Sequence, residues 1–316
     1  MNLQELSVFA NQSLKENLLL GLPKHEFSEA YGYAVLPPGK LFRPLLCLAS
    51  AIDYDIDGRF ESRKNSIGKL SSALEIHHSY TLVHDDLPAM DNDDYRRGKE
   101  STHKKYGQWQ AILVGDGLLN HSYYLIHDLE TTNDRLIRKF FSWALGSKGL
   151  IQGQYLDLSH EMNHSFEDLI ETHNLKTARL IQTSLISGML MSVDDEPKAI
   201  NMAYKLFRFG RQLGILFQLI DDLTELTEDI NQHEKDINPW LHQREKSQSY
   251  YEKSLKGVEN FLMSQNTPTL SIITQQYLEK QKTTLLNGWS SMETYQFNKD
   301  SLLNPIMGVL NSLSSR

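Results

Sequence analysis

Residues 203–225 read AYKLFRFGRQLGILFQLIDDLTE. Ala203, Leu206, Phe207, Gly210, Leu213, Gly214, Phe217 and Ile220 recur at i, i+3, i+4, i+7 spacing over about five turns. Arg208 and Gln212 fall on the other face, with Arg211 at the border. The spacing predicts one long amphipathic helix that ends in carboxylates. Two more apolar helices are predicted, over residues 66–84 and 108–127. Alternating strand patterns are scarce, so the chain reads as all-α.

Turn chemistry punctuates these segments. Leu36-Pro37-Pro38-Gly39 closes the first helical stretch, and Asp194-Asp195-Glu196-Pro197 separates two helices. Further breaks are expected over 53–65, which holds Gly58, over 91–107, and over 224–248, which holds Pro239. No fixed-period repeat or low-complexity tract interrupts the chain, and no linker marks a boundary. A single domain over residues 1–316 is the expectation.

The 32 Lys and Arg against 40 Asp and Glu give a net charge of −8, a balance that disfavours a nucleic-acid partner. Apolar residues at 40% suffice for a core. No apolar run approaches the ~18 residues of a membrane span. Met1-Asn2-Leu3-Gln4-Glu5 does not read as a signal peptide, so a cytoplasmic location is expected. The sole cysteine, Cys47, lies in an apolar run and reads as a core thiol in a reducing compartment.

Asp85-Asp86-Leu87-Pro88-Ala89-Met90-Asp91-Asn92-Asp93-Asp94 places five aspartates in ten residues after an apolar helix. Such like charges are more easily held together by cations, and carboxylate oxygens suit Mg²⁺ completed by waters and substrate phosphates. Pro88 disturbs the helix, so a bulge or helix end can return Asp91 toward Asp85. A second cluster, Asp221-Asp222 with Glu225, ends the 203–225 helix, and Gln218 stands one turn before. Either cluster alone also reads as a solvated acidic helix end. Two of them suggest helices presenting carboxylates to one cavity in a helical bundle.

Basic residues interleave with the acidic ones. Lys40 and Arg43 lie three apart, Arg96-Arg97 follow the first cluster, and Lys176-Thr177 precede the second. Each alone reads as surface charge, but arginine and lysine are also the side chains that hold phosphate oxygens. Together, carboxylates and cations are what departure of a diphosphate requires. His160-Glu161-Met162-Asn163-His164 fits the zinc-protease pattern His-Glu-x-x-His. That chemistry needs both histidines on one helix, whereas Ser165-Phe166-Glu167-Asp168 reads as a new helix start, leaving 160–164 in a connection.

Asp85-Asp86-Leu87-Pro88-Ala89-Met90-Asp91, the following Arg96-Arg97-Gly98, Gly153-Gln154-Tyr155-Leu156-Asp157, and the 214–222 stretch together resemble the trans-prenyl diphosphate synthases. The likeness is strongest to the bacterial farnesyl diphosphate synthases and covers residues 39–222. It implies an isoprenoid synthase type I fold, a helical bundle around a central cavity, Mg²⁺, and a homodimer. It also implies that Lys40, Arg43, His78 and Arg97 hold isopentenyl diphosphate, while Arg96, Lys176 and Lys235 hold an allylic diphosphate. By the same resemblance Asp85, Asp91 and Asp221 coordinate magnesium, with Asp86, Asp222 and Glu225 nearby. Thr177 and Gln218 then face the allylic cation, and Tyr80 and Thr81 set product length, with Tyr80 as a floor matching a fifteen-carbon product.

The sequence departs from the family pattern in places. Leu41 replaces an Arg, Ala178 a Gly, and Gly117 an Ala. Glu225 stands where a third Asp is usual, and the lysine-bearing loop after it is shortened. Three alternatives follow: a product of ten or twenty carbons, a terpene cyclase, or a non-catalytic subunit of a synthase complex. The basic set Lys40, Arg43, His78 and Arg97 speaks against a cyclase, which has no second diphosphate to bind.

Overall fold

The computed structural model describes residues 1–20, 22–228 and 232–315, the side chains of 232–234 excepted. Part of the expected 224–248 break therefore lies outside the described residues. The chain opens with α1 (Leu3–Leu18), α2 (Glu26–Val35), α3 (Phe42–Asp53) and α4 (Lys64–Asp85). A ribbon of β1 (Tyr95–Arg96) and β2 (Lys99–Glu100) follows, then α5 (Thr102–Tyr106), α6 (Gln108–His127), α7 (Asp134–Leu145) and α8 (Leu150–Leu158). Next come α9 (Phe166–His173), α10 (Arg179–Leu190) and α11 (Glu196–Glu225). The chain ends with α12 (Gln232–Ile237), α13 (Pro239–His242), α14 (Arg244–Ser264), α15 (Pro268–Asn287), α16 (Trp289–Glu293) and α17 (Lys299–Ser314).

These elements gather into two compact units, Met1–Phe141 with Ser184–Ile200, and Ser142–Thr183 with Asn201–Arg316. In the first unit, α4 is the central element and packs on α6, α1 and α3. It is buried on nearly every face between Ser66 and Val83, as an interior helix is. Small residues allow its neighbours close: a Cβ on Gly68 would lie 2.8 Å from Ser13 Oγ of α1. Asn17 donates to Ser72 Oγ at 3.2 Å, which satisfies both buried groups. Residues 184–192 are laced to α3 through Ser50 Oγ on the Leu185 carbonyl and Ser192 Oγ on the Ala51 carbonyl, both at 2.6 Å.

In the second unit, residues 201–225 of α11 are lined by aromatic stacks, Phe209 on Phe261 at 4.1 Å and Phe217 on Tyr277 at 5.2 Å. α14 packs on α17, where Tyr251 Oη donates to the Leu302 carbonyl at 2.6 Å. The helices expected over 108–127 and 66–84 are present as α6 and within α4. The single apolar stripe expected for α11 is too narrow. Ile215, Leu216 and Leu219 are buried beside it, whereas Phe207 and Phe217 keep partial exposure. A helix packed on several sides has no single core face. Pro239 starts α13 rather than breaking a helix, since Pro lacks only an N–H that a first turn leaves unused. Among the described residues, no helix is long and apolar enough to cross a membrane.

Gly188 offers a test of this packing. A Cβ there would sit 2.1 Å from the Cys47 carbonyl oxygen, a backbone atom of α3 that cannot swing away. Gly188→Ala is expected to cost about 1–3 kcal/mol of stability by overpacking, measured as a lower urea midpoint at unchanged m-value.

Candidate active site

The aspartate-rich turn begins where α4 ends. Leu87 N–H bonds the His84 carbonyl at 3.1 Å, Met90 N–H the Leu87 carbonyl at 2.9 Å, and Asp91 N–H the Asp85 carbonyl at 2.9 Å. Pro88 has no N–H to continue the helix, and the chain doubles back as expected, bringing the Asp91 backbone onto Asp85. Asp86 points elsewhere: it is 3% exposed and accepts from Arg96 Nε. Burial pushes its carboxyl up from the ordinary range, against the pull of Arg96. Arg96 also bonds Asp93 at 3.1 Å, and Lys104 holds Asp94 at 2.8 Å.

Arg97 and Gly98 are the two central residues of the β1–β2 hairpin, with φ of 52° and 76°. Positive φ at both positions matches the right-handed twist of the strands. The hairpin sends its two arginines to different partners. Arg96 meets Asp86, and Arg97 lies over Gly39, where a Cβ would be 2.7 Å from Nη2. Leu41, in the left-handed region at φ 51°, starts α3, leaving Lys40 exposed and Arg43 half-buried in the first turn. The departure from Arg at 41 places a buried apolar side chain there.

His78, on one face of α4, is held well below the usual histidine range by desolvation and then by Arg43, Arg97 and Arg96. Glu75, one turn earlier, is 3% exposed. Burial raises its carboxyl while Arg43 and Arg97 pull it down. Three expected residues, Arg43, His78 and Arg97, thus converge on one patch with a buried carboxylate that the motifs do not include. The i, i+3 spacing of Glu75 and His78 was the available signal.

Tyr80 is 6% exposed and meets His77 edge-on at 4.6 Å and His84 at 5.8 Å. Thr81 Oγ1 donates to the His78 carbonyl at 2.7 Å, so its hydroxyl is used locally. His77 also meets Tyr123 and Phe141 edge-on and pairs with Ser122 Oγ at 3.0 Å. The Gly117 departure has a physical reason: a methyl there would fall 1.4 Å from Tyr31 Oη.

The other expected residues belong to the second unit. Asn174–Ala178 form a π-helical turn between α9 and α10, carrying Lys176 and Thr177. Such turns insert one residue and redirect side chains. Gly153 lets α8 approach, since a Cβ would meet Lys176 N at 2.2 Å. Ala178, where the family has Gly, is accommodated by Gly214, whose Cβ position is 2.3 Å from the Ala178 methyl. Thr177 Oγ1 donates to Gln218 Oε1 at 3.1 Å, and Gln218 Nε2 to Asp222 Oδ1 at 3.0 Å. His173 Nε2 stands 3.5 Å from Asp222 Oδ2, and Lys176 pairs with Asp157.

Asp157, His173, Lys176, Gln218 and Asp222 line a cavity of about 270 Å³ with Glu225, Ile237, Asn238 and Pro239. Asp222 is 8% exposed and on the cavity wall, whereas Asp221 is exposed and outside the lining, as is half-buried Lys235. Asp157, His173 and Asn238 are cavity residues to which the motifs assign no role. His173 sits one turn before Lys176, a spacing that could have flagged it.

The zinc reading fails on geometry. Residues 161–163 form a 3₁₀ turn, His160 is left-handed at φ 59°, and Ser165 caps α9 by accepting from Asp168 N–H at 3.1 Å. Among the described residues, no three His, Cys, Asp or Glu side chains converge to hold a metal alone. Cys47 is fully buried, and its thiol is pushed up by desolvation, so it is no nucleophile. The aspartate turn suits a divalent cation better: Asp85 and Asp91 carry hard oxygen donors, and one hydrogen bond joins their backbones.

The family model described as Polyprenyl synthetase matches residues 24–248. The chain is 36% identical over 225 residues to a heterodimeric geranylgeranyl pyrophosphate synthase large subunit 2 of Arabidopsis thaliana, covering 69% of this chain and 56% of that one. It is 36% identical over 221 residues to a dimethylallyltranstransferase of Fischerella ambigua, covering 68% and 60%. The chain thus spans little over half the length of these relatives. The crystal structure of a geranyltransferase from Helicobacter pylori matches with a TM-score of 0.73 and 30% identity, over 89% of this chain and 99% of that one.

His77 provides a pH test. Burial lowers it from 6.5 to about 3, so the unfolded chain takes up this proton first. Stability is therefore lost as pH falls below 6.5 toward 3. Between pH 7.5 and 5 the wild type should lose about 2 kcal/mol more than His77→Phe, read from urea unfolding at each pH. Equal losses would show that folded His77 accepts the proton.

Proposed function

The chain belongs to the polyprenyl synthetase family, and on that premise we propose that it joins an allylic diphosphate to isopentenyl diphosphate. The observation that carries this reading is the convergence of Arg43, Arg97 and Arg96 on His78, on the helix that ends in the aspartate turn. Cations beside carboxylates bind a diphosphate and leave room for its metal. Lys40, Arg43, His78 and Arg97 hold isopentenyl diphosphate, with Glu75 orienting the two arginines. Arg96, Lys176 and Lys235 hold the allylic diphosphate, and Asp86 fixes Arg96.

Asp85, Asp91 and Asp221 are the proposed magnesium ligands, with Asp222 and Glu225 near them. Magnesium, when bound, supplies a Lewis acid for the charge growing on the leaving diphosphate. The allylic carbon–oxygen bond breaks with its electron pair going to the diphosphate. The double bond of isopentenyl diphosphate forms the new carbon–carbon bond, and a proton passes to the released diphosphate. Arg96 and Lys176 stabilise the leaving group. Thr177 and Gln218 present oxygen dipoles to the cation.

Tyr80 supports a fifteen-carbon product, because its ring is fixed between His77 and His84 and resists displacement by a growing chain. The geranylgeranyl name of one relative makes a twenty-carbon product the second reading. A second copy of the chain is the proposed partner. α6 carries an exposed stripe of Trp109, Ile112, Leu113 and Tyr124, which suits helix-on-helix association. The single, buried cysteine favours a reducing compartment such as the cytoplasm.

Purified protein given isopentenyl diphosphate, Mg²⁺ and each allylic starter is expected to yield a fifteen-carbon product, sized after dephosphorylation. Chelator should abolish it, and absence of product with every starter would overturn the synthase reading. Tyr80→Ala is expected to shift the products to twenty carbons or more. An unchanged distribution in that variant would remove Tyr80 as the floor.

A further inference from the structure

The segment after the second acidic cluster is short, yet it is bolted to α11 by side chains. Asn238, 3% exposed, caps α13 by accepting from Trp240 N–H at 3.1 Å. Its Nδ2 donates to the backbone carbonyl of Asp222 at 2.7 Å. Trp240 is fully buried and its Nε1 donates to the Leu219 carbonyl at 2.8 Å. Ser247 Oγ reaches the Pro239 carbonyl at 3.1 Å, and His242 Nε2 pairs with the Lys235 carbonyl at 3.0 Å. Two carbonyls on the last turns of α11 therefore receive side-chain donors from residues 238–240. All of these donors are supplied within the same unit.

The placement matters because both ends of the bolt touch the candidate site. Asn238 and Pro239 line the cavity with Gln218, Asp222 and Glu225. Asn238 ties the backbone of the acidic cluster to the segment that carries Lys235, three residues upstream. We infer that Asn238, supported by Trp240, is a positioning residue that fixes the second acidic cluster and Lys235 in one register for an Mg²⁺–diphosphate. This role rests on the proposed synthase reading, in which the Lys235 segment contacts the allylic diphosphate. A buried amide that both donates and accepts defines a fixed distance, which a longer loop would otherwise have to secure on closure.

Asn238→Asp keeps an acceptor for Trp240 N–H but removes the donor to Asp222 and faces its carbonyl with a second acceptor. Trp240→Phe keeps the buried ring and removes only the donor to Leu219. For each, inorganic pyrophosphate binding in Mg²⁺ is measured by calorimetry, beside KM for both substrates and thermal unfolding. Expected are an approximately tenfold weaker pyrophosphate affinity, about 1.4 kcal/mol, and a raised KM for the allylic diphosphate. KM for isopentenyl diphosphate should stay within about twofold. Wild-type affinity and KM in Asn238→Asp, with unfolding still cooperative, would overturn the inference, as would equal rises in both KM values. If the wild type binds pyrophosphate and Asn238→Asp weakens it while no starter is turned over, the register role stands and the synthase reading falls. If the wild type neither binds nor turns over, both fall.

Discussion

Each acidic cluster sits at the C-terminal end of a long helix, where the backbone already presents negative carbonyl ends. Carboxylates there are repelled by the helix dipole and by one another, so the site must be supplied with positive charge or donors. The residues around each cluster meet that demand. In the first unit, Arg96 takes Asp86 and Asp93, and Lys104 takes Asp94. In the second, Gln218 and His173 flank Asp222, while Asn238 serves its carbonyl. The arrangement leaves both helix ends suited to cations.

The same demand separates two kinds of aspartate. Asp86 and Asp222 are buried and engaged by protein donors, while Asp85, Asp91 and Asp221 retain exposure. In each pair of adjacent aspartates, one is buried against protein donors and the other is more exposed. A helix turns by about 100° per residue, so neighbouring residues cannot share a direction. A paired motif therefore supplies one buried and one more exposed carboxylate with one short stretch of chain.

Much of this was legible in the sequence, because helix period and turn chemistry act locally. The α6 boundaries, the return of Asp91 to Asp85 and the Ser165 cap all follow from residues within a few positions of one another. What was not legible depends on distant packing. The stripe drawn on α11 missed Ile215, Leu216 and Leu219, because burial on several sides is set by α14, α15 and the π-helical turn rather than by α11 itself. Glu75 and Asn238 were missed for a related reason. The spacing of Glu75 to His78 does not by itself reveal burial among arginines, and an amide bridging 16 residues has no periodic signature. The Gly117 and Ala178 departures became intelligible only when Tyr31 and Gly214 were seen opposite them.

The π-helical turn at Asn174–Ala178 gives the site a property of arithmetic rather than of energy. It contains one residue more than an α-helix would need between α9 and α10. Loss of any single residue in that stretch restores regular winding with the flanks nearly in place, yet re-aims the side chains within the turn. Lys176 would then leave the wall it shares with His173 and Gln218, and Thr177 its bond to Gln218. Substitution within 174–178 acts through the side chain changed, Lys176 and Thr177 above all, whereas a change of length disturbs the aim of the whole stretch, so its count is locked as firmly as its two polar side chains.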